Sequence, residues 1–214
     1  MKKRMRISSS GELASMQRAL IQQAEATIGE VMALFKAEPP ISALSRLKFE
    51  KITTDGIFGE HLNFVEFLNQ TLTYLVCLYA GNVLLKRNPM EEVIINFGTA
   101  PGHDVSSYSG TVICECFAAT SVKSNEKLKK DILRLHGNPT AKERLVFYYS
   151  HNADAERSYI EKLANQYKDV ACGAFRLTPL YPNINEILAG TATPPVSGLH
   201  KKSPGAIHRR GYTP

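Results

Sequence analysis

The stretch Val93–Ala118, VIINFGTAPGHDVSSYSGTVICECFA, decides how the rest of the chain is read. It holds three runs rich in β-branched and aromatic residues: Val93 to Phe97, Asp104 to Tyr108 and Thr111 to Ala118. Turn-forming residues separate them at Gly98 to Gly102 and at Ser109-Gly110. Three successive strands with tight turns predict an antiparallel meander. In the third run side chains alternate between faces, so Val112, Cys114 and Cys116 point one way and Ile113, Glu115 and Phe117 the other. Glu115 therefore sits among apolar neighbours on a central strand, where an ionised carboxylate is costly unless it is paired or bound to a cation. Asp104 opens the second run, and a hairpin at Ser109-Gly110 would bring it beside Glu115. Two carboxylates on adjacent strands make a hard oxygen site suited to Mg²⁺ or Mn²⁺. A plainer reading also fits, in which Asp104 caps a loop and Glu115 pairs with a lysine.

Before the meander, apolar residues recur at helical spacing from residue 10 to 37 (Leu13, Met16, Leu20, Ala24, Ile28, Met32), closed by Pro39-Pro40. A second helix is expected from about Phe58 to Ala80, with Val65, Leu68, Leu72, Leu75 and Tyr79 as its stripe. After the meander a helix (Ser124 to His136), a strand (Arg144 to Tyr149), a helix (Asp154 to Tyr167) and a strand (Ala171 to Leu177) alternate, which implies crossover connections and a mixed sheet. The expected division is a helical extension over 1–57, an α/β core over 58–180 and a basic tail over 181–214. That tail carries Lys201, Lys202, Arg209 and Arg210 among prolines and few large apolar residues.

This order of elements, with Gly102-His103-Asp104-Val105 followed after a hairpin by Ile113-Cys114-Glu115-Cys116-Phe117, resembles the PD-(D/E)xK nuclease superfamily. The resemblance covers about residues 58 to 178 and implies a restriction-endonuclease-like mixed sheet flanked by helices. Asp104 would match the first acid and Glu115 the second, with Pro101 in the loop before them. The lysine position is Phe117, a departure from the pattern. In some members the lysine comes from the following helix, which here contains Lys127 and Lys130 beside the apolar stripe of Leu128, Ile132 and Leu135. The resemblance therefore points to Lys127. It also allows a further acid from the helix before the sheet, Glu66 or Glu60. It implies a metal-dependent DNA endonuclease of the restriction or repair kind, often a homodimer. His103, beside Asp104, is a candidate metal or phosphate contact. Two competing readings are a nuclease-fold module that has lost catalysis but binds nucleic acid or a protein, and an enzyme acting on a small phosphorylated substrate.

Composition narrows the classes. With 214 residues, 43% hydrophobic and 21% charged, the chain can bury a sizeable core, and disordered, collagen-like and disulfide-dense classes fit poorly. A formal net charge of +6 is a mild argument for a polyanionic partner such as DNA. Cys77, Cys114, Cys116 and Cys172 form no pair of zinc knuckles and are expected reduced. The basic Met-Lys-Lys-Arg-Met-Arg start runs into Ser8, Ser9, Ser10 and Glu12 rather than an apolar run, so a secretory leader is not expected and a cytoplasmic location is. The apolar stretch Leu62 to Leu85 carries Asn63, Glu66, Asn69, Gln70 and Asn82, which favours a buried helix over a membrane span. The Gly98 to Gly102 segment lacks both the lysine and the following helix of a phosphate loop.

Overall fold

The computed structural model describes residues 3–98, 101–151 and 154–175. The chain begins with a strand, Arg4–Ile7 (β1), and a long helix, Ser10–Ala37 (α1), whose start is capped by the Ser9 hydroxyl accepting from the Glu12 N–H. A helix Pro40–Phe49 (α2) follows, opened by proline at its first position, where a missing N–H costs nothing. Two short strands, Thr53–Thr54 (β2) and His61–Leu62 (β3), pair into a small ribbon. Then come the helix Phe64–Arg87 (α3) and the strands Val93–Asn96 (β4), Val105–Ser107 (β5) and Val112–Ala119 (β6). The helix Lys127–His136 (α4), the strand Glu143–Ser150 (β7), the helix Arg157–Gln166 (α5) and the strand Val170–Ala174 (β8) complete the described chain.

Six strands form one mixed sheet in the order β1-β4-β5-β6-β7-β8. The pairs from β1 to β6 are antiparallel, and β6-β7 and β7-β8 are parallel. The meander and the crossover units expected from the pattern are both present. Period-two alternation along β6 divides the core into two layers. Cys114 and Cys116 pack with Tyr74, Val76, Cys77 and Leu84 of α3, while Ile113 and Phe117 pack with Leu128, Ile132 and Leu135 of α4 and Leu163 of α5. Helices therefore cover both faces, an α/β architecture. Gly81 lets α3 lie close on the sheet, since a Cβ there would stand 3.0 Å from the Ile95 side chain.

Two expectations are corrected. Residues 1–57 were expected to form a helical extension, but β1 is an edge strand of the central sheet, and Ile7, Leu13 and Leu20 share the α3-side core. The second helix starts at Phe64 rather than Phe58, because Asn63 and Glu66 form a reciprocal capping box there. Just before it, the Asp55 carboxylate takes the N–H groups of Ile57 (2.6 Å) and Phe58 (2.9 Å) into a turn. Among the described residues no helix is long and apolar enough to cross a membrane. The basic residues expected in the tail lie outside the described residues.

Candidate active site: an acidic pair beneath a charged helix face

The antiparallel register pairs Val105 with Cys114 and Ser106 with Ile113, and one step further along it Asp104 stands opposite Glu115. The ladder stops at that step. The Asp104 carboxylate, through Oδ2, accepts the Cys116 N–H at 2.8 Å, while its own carbonyl accepts the N–H of Asn96 at 2.8 Å. The expected juxtaposition of the two acids is present, on the sheet face covered by α4.

Glu115 is fully buried, 0% exposed. Its Oε1 lies 2.6 Å from His103 Nδ1, and its Oε2 accepts from Arg134 Nη1 at 3.0 Å. The Asn138 side-chain oxygen already accepts from the Thr140 and Ala141 N–H groups, so its Nδ2 faces His103 Nε2, 3.3 Å away. Asn138 thus donates to Nε2, and the histidine proton sits on Nδ1, donating to Glu115. Arg134 also donates to the Gly102 carbonyl, which ties α4 to the loop that presents Asp104.

Helix α4 contributes two stripes. Leu128, Ile132 and Leu135 enter the core, while Lys127, Asp131 and Arg134, spaced i, i+4, i+7, lie over the acidic pair. Lys127 Nζ contacts Asp131 Oδ1 at 2.7 Å and lies 5.8 Å from the centroid of the Phe117 ring. The helix is aimed by the turn before it, where the Glu156 carboxylate accepts the Val122 N–H at 2.8 Å.

The electrostatics follow from crowding three carboxylates in a dry place. Burial, and then the neighbouring Glu115 charge, push the Asp104 carboxyl up to about 6, against the pull of the Cys116 N–H, Lys127 and Arg134. Burial also raises Asp131, with Lys127 opposing it and Asp104 adding to it. Among the described residues Asp131 Oδ2 is buried with no hydrogen-bond partner.

The sequence-predicted residues divide cleanly. Asp104, Glu115 and Lys127 come together, and His103 joins them as a partner of Glu115. Glu66 does not: it caps α3, its Oε2 accepting the Asn63 N–H at 3.0 Å, and α3 lies on the opposite face of the sheet from Glu115. Glu60 pairs with Lys3 at 2.6 Å. Phe117, where the resemblance expects a lysine, is buried and stacks on Tyr148, with centroids 5.8 Å apart. Asp131, Arg134 and Asn138 were missed. The helical spacing of Lys127, Asp131 and Arg134 was the available signal for the first two.

Among the described residues no group of three or more His, Cys, Asp and Glu side chains is arranged to hold a metal ion. Asp104 and Glu115 are a two-carboxylate donor set. Mg²⁺ commonly accepts such a set when water and substrate phosphate supply the remaining oxygens. Asp104 has a carboxylate oxygen beyond the one taken by Cys116, and Glu115 would have to exchange Arg134 or His103 for a cation. The donor chemistry thus fits a hard divalent ion. No family model matches this chain, and no curated protein or solved structure matches it either.

Proposed function

We propose that this chain is a metal-dependent endonuclease acting on DNA, with a restriction-endonuclease-like core. Asp104 and Glu115 are the metal-holding acids of this reading, and Lys127 supplies its lysine. The observation that carries it is the Lys127 ammonium, 5.8 Å from the ring of Phe117 and on the same sheet face as both acids. A lysine from α4 lies over the side chain that replaces the superfamily's motif lysine. The meander followed by a parallel crossover strand supports the same reading.

A bound Mg²⁺ or Mn²⁺ would polarise the scissile phosphate and make a water nucleophilic near neutral pH. The chain's own residues supply the rest. Asp104, with a carboxyl near 6, is a carboxylate at neutral pH and available as a donor. Arg134 and His103 hold Glu115 in a fixed orientation. The half-exposed Lys127 faces the position where negative charge grows on the phosphate and stabilises it there. Exposed Lys123, shortly before α4, and exposed Lys130 and Arg134 on it present positive charge, so DNA affinity should fall as salt rises. A homodimer belongs to the same proposal and would draw on the exposed Ile28, Met32 and Phe35 of α1.

The test is cleavage of supercoiled plasmid with Mg²⁺ or Mn²⁺ at low salt by the wild type, Asp104→Ala, Glu115→Ala and Lys127→Ala. Metal-dependent cutting abolished in both acid variants and strongly slowed in Lys127→Ala is the expected result. Folded wild type that cuts with neither ion would overturn the reading. One observation favours a second reading, a nuclease-fold module without catalysis: both Glu115 oxygens are already satisfied, by His103 and Arg134. That module would bind duplex DNA without cutting it.

A further inference from the structure

We infer that Asp131 positions Lys127 for the reaction proposed above, and the inference rests on that reading. Asp131 is 3% exposed, and its Oδ1 meets the Lys127 ammonium at 2.7 Å. Among the described residues its Oδ2 is buried without a hydrogen-bond partner, and the ammonium is the one strong link this carboxylate makes. Burying a carboxylate on those terms is costly, and helix stability does not explain it. Lys127 opens α4, where the positive end of the helix dipole disfavours a cation. Lysine preceding an acid at i, i+4 is also the less favourable order on a helix.

What the pair accomplishes is placement. The Lys127 side chain is 43% exposed, and a four-carbon stem released from Asp131 would spend much of its time in solvent. Held by Asp131, its ammonium lies over Phe117 and close enough to Asp104 to act on its charge. Arg134, one turn on, is committed to Glu115 and Gly102 and does not substitute. Asp131 needs no contact with the substrate in this role, because it acts through the lysine.

The experiment measures steady-state plasmid cleavage by the wild type, Asp131→Asn, Lys127→Ala and the double variant, with thermal unfolding of each as a check on folding. Asp131→Asn is expected to lower kcat about 10- to 100-fold with KM unchanged. The double variant should cut no more slowly than Lys127→Ala alone, because the two residues act as one unit. Asp131→Asn cutting at the wild-type rate, or losses that multiply in the double variant, would overturn the inference and leave the nuclease reading standing. Wild type that cuts with neither ion overturns the nuclease reading, and this inference with it. Should Asp131→Asn fail to fold, Asp131→Glu asks the same question: a longer carboxylate displaces the ammonium and must slow kcat, and wild-type kcat would overturn the role.

Discussion

Arg134 reaches from the half-exposed face of α4 to Glu115, at 3.0 Å, and is the one arginine or lysine that contacts this wholly buried carboxylate among the described residues. Removing the arginine leaves a buried charge held only by an imidazole N–H. Arg134→Ala is therefore expected to destabilise the fold by about 1–3 kcal/mol, a figure discounted for the arginine's exposure. In a Glu115→Gln background the same substitution should cost little. Urea unfolding of the four proteins checks this, and an equal cost of Arg134→Ala in both backgrounds would refute the coupling.

Asp104 makes stability depend on pH. Its folded carboxyl lies near 6, above the ordinary value of 3.8, so the folded state holds a proton the unfolded chain has already released. Its stabilising contribution is full below about 3.8 and is lost as pH rises through about 6. Asp104→Asn keeps an oxygen for the Cys116 N–H and removes the charge, and should raise stability in metal-free buffer by roughly 1–3 kcal/mol at pH 8 and by little at pH 4. Denaturant midpoints at the two pH values decide it. A gain equal at both would mean that the carboxyl is not raised.

Mg²⁺ should compete with that proton. Thermal stabilisation of the wild type by Mg²⁺ is expected to be weak at pH 5 and to grow by pH 7.5, as the Asp104 carboxylate becomes available. Asp104→Ala should show no such growth. Melting curves with and without the ion read both, and identical behaviour of the two proteins would remove Asp104 from the proposed metal site.

Glu66 belongs to the capping box of α3 and not to the acidic cluster. Glu66→Ala should cost about 0.5–2 kcal/mol of stability and leave the pH dependence of Mg²⁺ stabilisation unchanged. A Glu66→Ala variant that melts like the wild type but has lost the pH-dependent Mg²⁺ stabilisation would reverse that assignment.

Phe117 fills space that lysine would not. Placing at this position the lysine that the resemblance expects, Phe117→Lys, breaks the stack on Tyr148 and buries an ammonium, and should cost about 3 kcal/mol or more. With Lys127 in place, cleavage should gain nothing. Unfolding and cleavage assays measure the two halves of this expectation separately, and faster cutting by the variant would mean that Lys127 does not occupy the lysine's role.

The strands of the meander, the alternation that buries Glu115 and the crossover units after it were legible in the sequence. Each depends on local periodicity, which a 3.6- or 2-residue repeat writes into neighbouring side chains. The pairing of Asp104 with Glu115 was legible too, since a hairpin with a turn at Ser109-Gly110 sets its register locally. The edge strand β1 was not. Four residues carry almost no periodic signal, and what places Arg4–Ile7 is a ladder with Val93–Asn96, some ninety positions away. Nor was the fate of Glu66 and Arg134 legible. On a helix both are charged residues beside an apolar stripe, and only the packing of α3 and α4 on opposite faces of the sheet decides which reaches Glu115. By itself the sequence determined which residues are costly to bury, and the tertiary structure decided which charges compensate them, because ion pairing at 3 Å depends on how separate elements dock.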